Sequence, residues 1–491
     1  MSPQSTADGL RGPGGLRELA AGVLLPGFVG TTLPQWLAER LRNGLAGVCL
    51  FGVNIVSRSQ LRALTDEIRE ANPNALIAID EEGGDVTRLY QSNSSPYPGN
   101  ALLGRIDDVT QTEFIAGIVG WELRLAGCNL DFAPDVDINS NSDNPVIGVR
   151  SFGADPAVVA RHAAAWVRGL ESTGTAASAK HFPGHGDTAQ DSHLALPVVD
   201  LPLAELRRRE LLPFVAAIAA GARTIMTSHI LLPQVDPFAP ATFSRIILQD
   251  LLRRELGFDG VIVTDALDMI GASGSIGIPE AAVRAVAAGC DLLCIGTENT
   301  DEQLGQIEAA LVSAVEEGRI EREVLRVASA RTLALGRELR ADAERIPIPE
   351  YVTADDEPVF DDAATRAAFD PRPGLVVEKE RRFVAIETVA NIAVGQSPWG
   401  PAAAGADVLE VREGQRVELP AGAQIVIVGK DNHRRAWTRD LIDSVRQSHP
   451  STLVIDMGWP GDDRAYADVA TFGASRHVGR ALLAWLEGEQ Q

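Results

Sequence analysis

The chain has 491 residues, 45% of them apolar, and its 67 acidic and 44 basic side chains give a formal net charge of −23. This length exceeds what one hydrophobic core usually covers, so we expect a globular protein of two domains. The negative charge would repel nucleic-acid phosphates and anionic lipids, so neither nucleic acid nor a membrane surface is an expected partner.

The first fifteen residues lack the charged and then apolar pattern of a secretion signal. No apolar stretch elsewhere is long enough to predict a transmembrane helix, so we expect a cytoplasmic location. The four cysteines lie in or beside apolar segments, which is typical of buried thiols rather than of disulfides. They are Cys49, Cys128, Cys290 and Cys294.

From residue 20 to about residue 340, short apolar segments alternate with longer amphipathic ones, as in repeated β-α units. Eight such units predict a (β/α)8 TIM-type barrel over residues 1–345. A doubly wound open sheet is the alternative that the periodicity leaves open. The predicted strands are 22–28, 47–51, 76–80, 129–134, 176–181, 224–229, 260–265 and 291–296.

A smaller α/β domain is predicted after the barrel. The segment 341–373 is rich in Asp, Glu and Pro, and we interpret it as the crossing between the domains. Residues 346–491 would then hold this linker and an α/β sandwich. Its predicted strands are 406–411, 424–429 and 453–457, and its predicted helices are 437–447 and 477–487. The domain has no GxGxxG motif, and we expect no cofactor.

Polar side chains stand at the carboxyl ends of five predicted strands, where the reactive groups of a (β/α)8 barrel gather. Each one alone is more simply a helix cap or a turn residue. Together they predict a polar active-site pocket. The groups are Asp80 with Glu81 and Glu82, Asp131 with Asp135 and Asp137, Lys180 with His181, Ser228 with His229, and Thr264 with Asp265.

The segment at and after the end of the fifth predicted strand, residues 180–193, is rich in titratable side chains and holds three of the eight histidines. One interpretation is a metal site made by His181, His185, Asp187 and His193. The segment lacks the HExxH spacing of a helical zinc site, and a carboxylate that orients an imidazole fits Asp191 and His193 at least as well. We favour this pair and expect no metal.

The seventh predicted strand ends in one carboxylate, Asp265. Retaining cleavage of a glycosidic bond needs such a nucleophile and a proton donor for the leaving oxygen. His193 could donate that proton near neutral pH, while Asp191 would hold its tautomer and favour its charged form. Asp268 is expected to be an early helix residue that interacts with the helix dipole.

The motifs of residues 20–340 resemble glycoside hydrolase family 3, in its bacterial β-N-acetylglucosaminidase (β-N-acetylhexosaminidase) branch. The resemblance implies a covalent glycosyl-enzyme on Asp265 and acid/base work by His193 with Asp191. The motifs are Asp80-Glu81-Glu82-Gly83-Gly84 with Arg88, Asn144-Pro145-Val146-Ile147-Gly148 with Arg150-Ser151-Phe152-Gly153, the segment 180–193, and Val263-Thr264-Asp265 with Asp268-Met269.

The same resemblance implies a substrate, an N-acetylglucosamine at the terminus of a small molecule or oligosaccharide. The sugar would be bound by the residues that match the family's binding positions, which are Asp80, Arg88, Arg150, Lys180 and His181. Three further matches, His185, Asp187 and His229, are expected to fix the loop and the pocket rather than to react.

Several functions stay open at this stage. A phosphorylase would use inorganic phosphate in place of water, a metal-dependent hydrolase would use a different mechanism, and a sugar-binding protein would release no product. The sequence also leaves open whether the natural substrate is a peptidoglycan fragment, a chitin oligomer or another glycoconjugate, and whether the second domain only supports the barrel or reaches over its site.

Overall fold

The structure is a computed structural model that describes residues 15–190, 196–353, 357–390, 393–415, 417–419 and 422–488. The segment 191–195, which includes Asp191 and His193, therefore lies outside the described residues. Within the described part of the chain, no helix is both long enough and apolar enough to span a membrane.

Eight parallel strands form the predicted barrel. Strands β2 to β7 pair in sequence order, β8 pairs with β1, and a bridge between Val263 and Leu292 joins β7 to the residue before β8. The predicted strands and the fold class are therefore confirmed. The strands are β1 (Leu24–Pro26), β2 (Gly47–Leu50), β3 (Leu76–Ile79), β4 (Leu130–Asp131), β5 (Ala176–Phe182), β6 (Thr224–Thr227), β7 (Val261–Val263) and β8 (Leu293–Gly296).

Helices surround this barrel, and several begin at a capping side chain. The helix α3 begins where Ser57 Oγ accepts the backbone N–H of Gln60, which satisfies one free donor of the first turn. The helices are α1 (Leu16–Ala21), α2 (Gln35–Arg42), α3 (Arg58–Ala71), α4 (Asn100–Ile106), α5 (Val109–Ala126), α6 (Pro156–Ser172), α7 (Leu203–Arg208), α8 (Leu211–Ala219), a π-helix (Ile246–Glu255), α9 (Ile270–Ser273), α10 (Ile278–Ala288), α11 (Asp301–Glu316) and α12 (Arg322–Arg345).

Side chains alternate between two faces of each strand, as the two-residue period of a strand requires. In β3, Leu76 and Ala78 fill the barrel interior, while Ile77 and Ile79 pack against the helices. The four cysteines are free and buried, as expected. The interior is packed, so the chemistry must lie at one end of the barrel.

The first part of the predicted linker is helical, because α12 continues to Arg345. Leu339 on this helix is buried, and Arg345 pairs with Asp342 at a distance of 2.7 Å one turn away. These contacts favour a helix over a segment whose composition predicts a loop. The domain boundary itself stays a prediction.

The second domain is built on a six-stranded sheet in the order β11-β10-β12-β13-β14-β9, of which only β9 runs antiparallel to its neighbour. The predicted strands and helices are present, whereas three strands (β9, β10 and β14) and two short helices (α13 and α14) were not predicted. The elements are α13 (Ala363–Ala367), β9 (Asp370–Pro371), β10 (Arg381–Ile386), α14 (Gly400–Ala403), β11 (Val408–Val411), β12 (Gln424–Gly429), α15 (Ala436–Ser448), β13 (Leu453–Asp456), β14 (Val469–Ala470) and α16 (Arg476–Leu486).

Helices cover both faces of this sheet. Val426 and Val428 of β12 pack toward α16, whereas Ile425 and Ile427 pack toward α15. The α16 side of this core also takes in Leu102 of the barrel helix α4. The two domains therefore share a hydrophobic cluster.

Candidate active site

A cavity of about 210 Å³ lies at the carboxyl ends of the barrel strands. It brings together seven of the eleven predicted site residues, although the side chains come from segments far apart in the chain. These seven are Asp80, Arg88, Arg150, Lys180, His181, His185 and Asp265. Asp187 and His229 do not line it, and the predicted acid/base pair lies outside the described residues.

Two cations and two carboxylates form one wall of this pocket. Lys180 Nζ lies 2.9 Å from Asp80 Oδ1 and 2.6 Å from Glu82 Oε1. Arg150 donates two hydrogen bonds to Glu82, of 2.9 Å from Nε and 2.7 Å from Nη2. Such a bidentate pair fixes the orientation of the guanidinium as well as its position.

Electrostatics keep this wall charged despite its burial. Burial alone would raise the pKa of Glu82, but Arg150 and Lys180 hold it below the usual range. Burial likewise opposes the charge of Lys180, while Asp80 and Glu82 raise its pKa. The sequence placed Glu82 at a strand end near the pocket, but its role as the link between two predicted sugar-binding cations was not predicted.

The second domain reaches the pocket at one point. Arg88 Nη2 donates a hydrogen bond of 2.8 Å to the backbone oxygen of Ala393, and Ala393 lines the cavity. The same Nη2 atom lies 3.7 Å from Asp80 Oδ2. The second domain thus contacts the candidate site itself rather than only the outside of the barrel.

His181 is oriented by a buried carboxylate. Its Nδ1 lies 2.7 Å from Asp137 Oδ2, and Asp137 Oδ1 accepts the backbone N–H of His185 at 2.6 Å. Burial would lower the pKa of His181, but Asp137 raises it. Because Nδ1–H donates to Asp137, Nε2 faces a ligand as an acceptor when the ring is neutral and as a donor when the ring is protonated, and both forms can bond to a sugar hydroxyl.

Among the described residues, Asp135, Asp137 and His181 could together offer ligands to a metal. This group shares only His181 with the metal set considered from the sequence. Burial and the charge of Asp137 raise the pKa of Asp135 to about 7. Arg150 Nη2 lies 3.5 Å from Asp135 Oδ2, so a guanidinium already supplies positive charge here, and we interpret Asp137 as the orienting partner of His181.

Asp265 follows β7 and faces the cavity. Its Oδ1 accepts the backbone N–H of Ala266 at 2.8 Å. His229 Nε2 donates to the backbone oxygen of Ala266 at 3.1 Å, and its Nδ1 lies 2.9 Å from Thr242 Oγ1. His229 therefore holds the peptide that follows the predicted nucleophile, in agreement with a positioning role.

His185 lies in the wall of the pocket rather than behind it. Burial lowers its pKa to about 4, so the imidazole is neutral near pH 7. Within the described part of the chain, neither ring nitrogen has a hydrogen-bond partner. A neutral imidazole with two such nitrogens can donate to one ligand atom and accept from another.

Asp187 anchors the loop that leads toward the predicted acid/base pair. Its Oδ2 accepts a hydrogen bond of 2.6 Å from Arg209 Nη2, and Arg209 Nε donates to Glu210 Oε1 at 2.5 Å. Gly184 packs on this group so closely that an added Cβ would lie 2.8 Å from Glu210 Oε2. Arg209 and Glu210 were missed because they follow a separate helix and belong to no motif.

The expectation for Asp268 was wrong. Asp268 precedes α9 and is not part of any helix; its Oδ2 instead accepts the backbone N–H of Thr297 at 3.2 Å. The carboxylate faces Gly296, where an added Cβ would lie 1.9 Å from Oδ2. Asp268 therefore lines the pocket and links the ends of β7 and β8.

Comparisons with known proteins agree with this geometry. A family model described as "Glycosyl hydrolase family 3 N terminal domain" matches residues 31–335. A β-hexosaminidase of Stenotrophomonas maltophilia strain K279a is 38% identical over 313 residues, which are 61% of this chain and 92% of that protein. β-Hexosaminidase A of Pseudoalteromonas piscicida is 36% identical over 345 residues, 65% of this chain, and the match spans only 58% of that longer protein.

The likeness to a solved structure extends through both domains. A family 3 β-N-acetylglucosaminidase from Paenibacillus sp. strain FPU-7 superposes with a TM-score of 0.86 at 33% sequence identity. The match covers 97% of each chain. The barrel and the α/β sandwich therefore occur together, in the same arrangement, in a protein of that description.

Proposed function

Because the chain belongs to glycosyl hydrolase family 3, we propose that it hydrolyses terminal β-linked N-acetylglucosamine with retention of anomeric configuration. The predicted family and the predicted enzyme class, a glycoside hydrolase, are confirmed by the comparisons. Relatives named β-hexosaminidase support a sugar substrate of this kind. Retention, the nucleophile and the acid/base pair are proposals.

The observation that carries the proposal is the pairing of one carboxylate, Asp265, with a wall of fixed donors and acceptors in a small cavity. Asp80 is the carboxylate of that wall that a ligand can reach, since its side chain is 17% exposed and that of Glu82 only 2%. Two ordered carboxylate oxygens can accept two sugar hydroxyls. Arg88, Lys180 and Nε2 of His181 can then bond to the remaining sugar hydroxyls.

In the proposed first step, an Asp265 oxygen bonds to the anomeric carbon while the bond to the leaving oxygen breaks. That oxygen takes a proton from His193, which Asp191 orients. In the second step water attacks the anomeric carbon, gives its proton back to His193, and releases Asp265 as a carboxylate. The support for His193 and Asp191 is the sequence motif.

The test is a product assay on an aryl N-acetyl-β-glucosaminide and an aryl β-glucoside, each with and without inorganic phosphate. We expect hydrolysis of the first compound, with β-N-acetylglucosamine as the initial product by NMR, and much slower hydrolysis of the second. A sugar-1-phosphate product would identify a phosphorylase instead, and an α-configured initial product would exclude a glycosyl-enzyme mechanism.

A further inference from the structure

The sheet of the second domain has a point where its connections change direction. From β10 the chain moves outward to β11, and from β11 it returns past β10 to β12. The adjacent strands β10 and β12 therefore send their connections to opposite sides. In open α/β sheets, a crevice for ligands forms outside the carboxyl ends of the strands at such a switch point.

A cavity of about 960 Å³ lies at this position and is separate from the candidate active-site cavity, which we call the Asp265 pocket. We call it the switch-point crevice. Its walls come from the residues after β10, β11 and β12, from two tryptophans, and from one loop of the barrel. The residues used below are Glu387, Trp399, Arg412, Lys430, Arg435 and Trp437.

Two half-buried tryptophans line this crevice, where each packs against a hydrophobic cluster of the second domain and has ordered polar groups beside it. Trp399 Nε1 donates a hydrogen bond of 2.8 Å to Glu387 Oε1, and Lys430 Nζ lies 5.0 Å from the centroid of the Trp399 ring. Trp437, near the start of α15, is half-buried. Indole faces pack against the C–H faces of sugar rings, while carboxylates and cations bond to hydroxyls.

The cations around the crevice already have partners. Lys430 Nζ lies 3.7 Å from Asp85 Oδ2, and Arg412 Nη2 donates to Glu410 Oε2 at 3.3 Å. Arg435 Nη2 donates to the backbone oxygen of Val389 at 3.3 Å. The carboxylates of Glu387 and Glu413 line the same crevice and would repel an anion, so the lining favours a neutral, hydroxyl-rich ligand.

The crevice and the Asp265 pocket are adjacent. Ala393 lines the pocket, while the segment from Gly395 to Trp399 lines the crevice. A third cavity of about 640 Å³ shares Arg150 with the pocket, and Lys430 and Arg435 with the crevice. This third cavity therefore lies between the Asp265 pocket and the crevice.

We propose that the switch-point crevice binds the reducing-end units of a neutral β-linked N-acetylhexosamine oligosaccharide whose terminal unit occupies the Asp265 pocket. The inference rests on the proposed function. It makes Trp399 and Trp437 determinants of chain-length preference. An aryl monosaccharide, in contrast, fills only the pocket.

The experiment compares kcat/KM of the full chain for an aryl N-acetyl-β-glucosaminide, and for the disaccharide and tetrasaccharide of β-1,4-linked N-acetylglucosamine. We expect the wild type to prefer the tetrasaccharide over the disaccharide. Trp399→Ala and Trp437→Ala should each lower kcat/KM for the tetrasaccharide about fivefold, through KM, by losing one ring contact. Turnover of the aryl compound should change less and also reports that the variants fold.

The matched control is Trp121→Ala, because Trp121 is a partly exposed tryptophan on α5 that lines none of the three cavities. It should leave the chain-length preference unchanged. Equal losses on all substrates in the crevice variants, or no loss on any, would overturn the proposal. Inhibition of tetrasaccharide turnover by inorganic phosphate that Lys430→Met removes would also overturn it, in favour of an anion site.

The two proposals fail in different ways. A wild type that cleaves neither the aryl compound nor the oligosaccharides contradicts the proposed function, before any crevice variant is considered. A wild type that cleaves all three with equal kcat/KM keeps the proposed function and contradicts the crevice.

Discussion

The two walls of the Asp265 pocket are held in different ways. After β3 and β5, Glu82 and Lys180 are almost completely buried and joined with Arg150 by charge-assisted hydrogen bonds. After β7 and β8, the half-buried Asp265 and the exposed Asp268 accept backbone N–H groups. The first wall is a rigid binding surface, whereas the second keeps carboxylate oxygens within reach of a ligand. Substitutions should therefore affect stability on one side and the chemical step on the other.

The largest effect is expected on the reactive wall. Asp265→Gly should lower kcat roughly 10⁴-fold, because the nucleophile is lost, while the thermal midpoint stays close to that of the wild type. Added azide should restore part of the turnover of an activated aryl substrate and yield the α-glycosyl azide, detectable by NMR. Unchanged kcat in the variant would remove Asp265 from the mechanism.

The second effect concerns the proton donor expected opposite Asp265. His193→Ala should slow substrates with poor leaving groups about 10²-fold or more, and activated aryl substrates much less, because only the former need a proton. A plot of log kcat/KM against leaving-group pKa measures this difference. Equal losses across the series would contradict the acid role of His193.

The binding wall should respond in stability as well as activity. Glu82→Gln leaves Lys180 and Arg150 buried with one carboxylate fewer, which should cost about 3 kcal/mol or more of unfolding free energy in urea titrations. The matched control is Glu255→Gln, which breaks an exposed pair with Arg207 and should cost far less. Similar losses of unfolding free energy in the two variants would contradict a larger contribution of the buried network to stability.

A smaller effect is expected behind the reactive wall. His229→Leu removes the hydrogen bond to the Ala266 backbone oxygen, so kcat should fall about tenfold while KM changes little. The control is His477→Leu, which removes a buried histidine that bonds Thr365 in the second domain and should change stability but not kcat. A rise in KM alone for the His229 variant would contradict the positioning role.

The smallest effect is a pH dependence within the binding wall. Asp137 raises the pKa of His181, so the stability from this pair is fully present below the unfolded histidine pKa, near 6.5, and is lost as pH rises through the folded value. Asp137→Asn should therefore destabilise the protein more at pH 5.5 than at pH 9. A pH-independent loss in urea titrations would indicate that His181 is neutral throughout.

Much of the fold could be predicted because apolar segments at regular spacing mark the barrel strands directly. The strand β10 was missed because Arg381 and Arg382 at its start break its apolar pattern, although it pairs on both sides. Its position between two other strands depends on β11 and β12, which both follow it in the chain. The local sequence pattern therefore predicted the regularly repeated strands of the barrel better than the strand β10 of the second domain.

The sequence predicted which residues line the candidate site but not which of them bond to one another. Strand ends placed Asp80, Lys180 and Asp265 at one end of the barrel, and the structure brings them into one cavity. The role of Glu82 depends on Arg150, 68 residues away, which no local spacing reveals. The role of Asp268 was predicted wrongly for the same reason, because its carboxylate bonds to the backbone of Thr297, which is distant in the sequence.

The shared cluster between the domains has a consequence for shortened versions of this protein. Leu102 on α4 belongs to the barrel by sequence, yet it is fully buried among side chains of α16 and its sheet. In a barrel that ends near residue 345, this leucine and Ala101 would form an exposed hydrophobic patch. A form of the protein that lacks the second domain would therefore need polar side chains on this face of α4 to stay soluble.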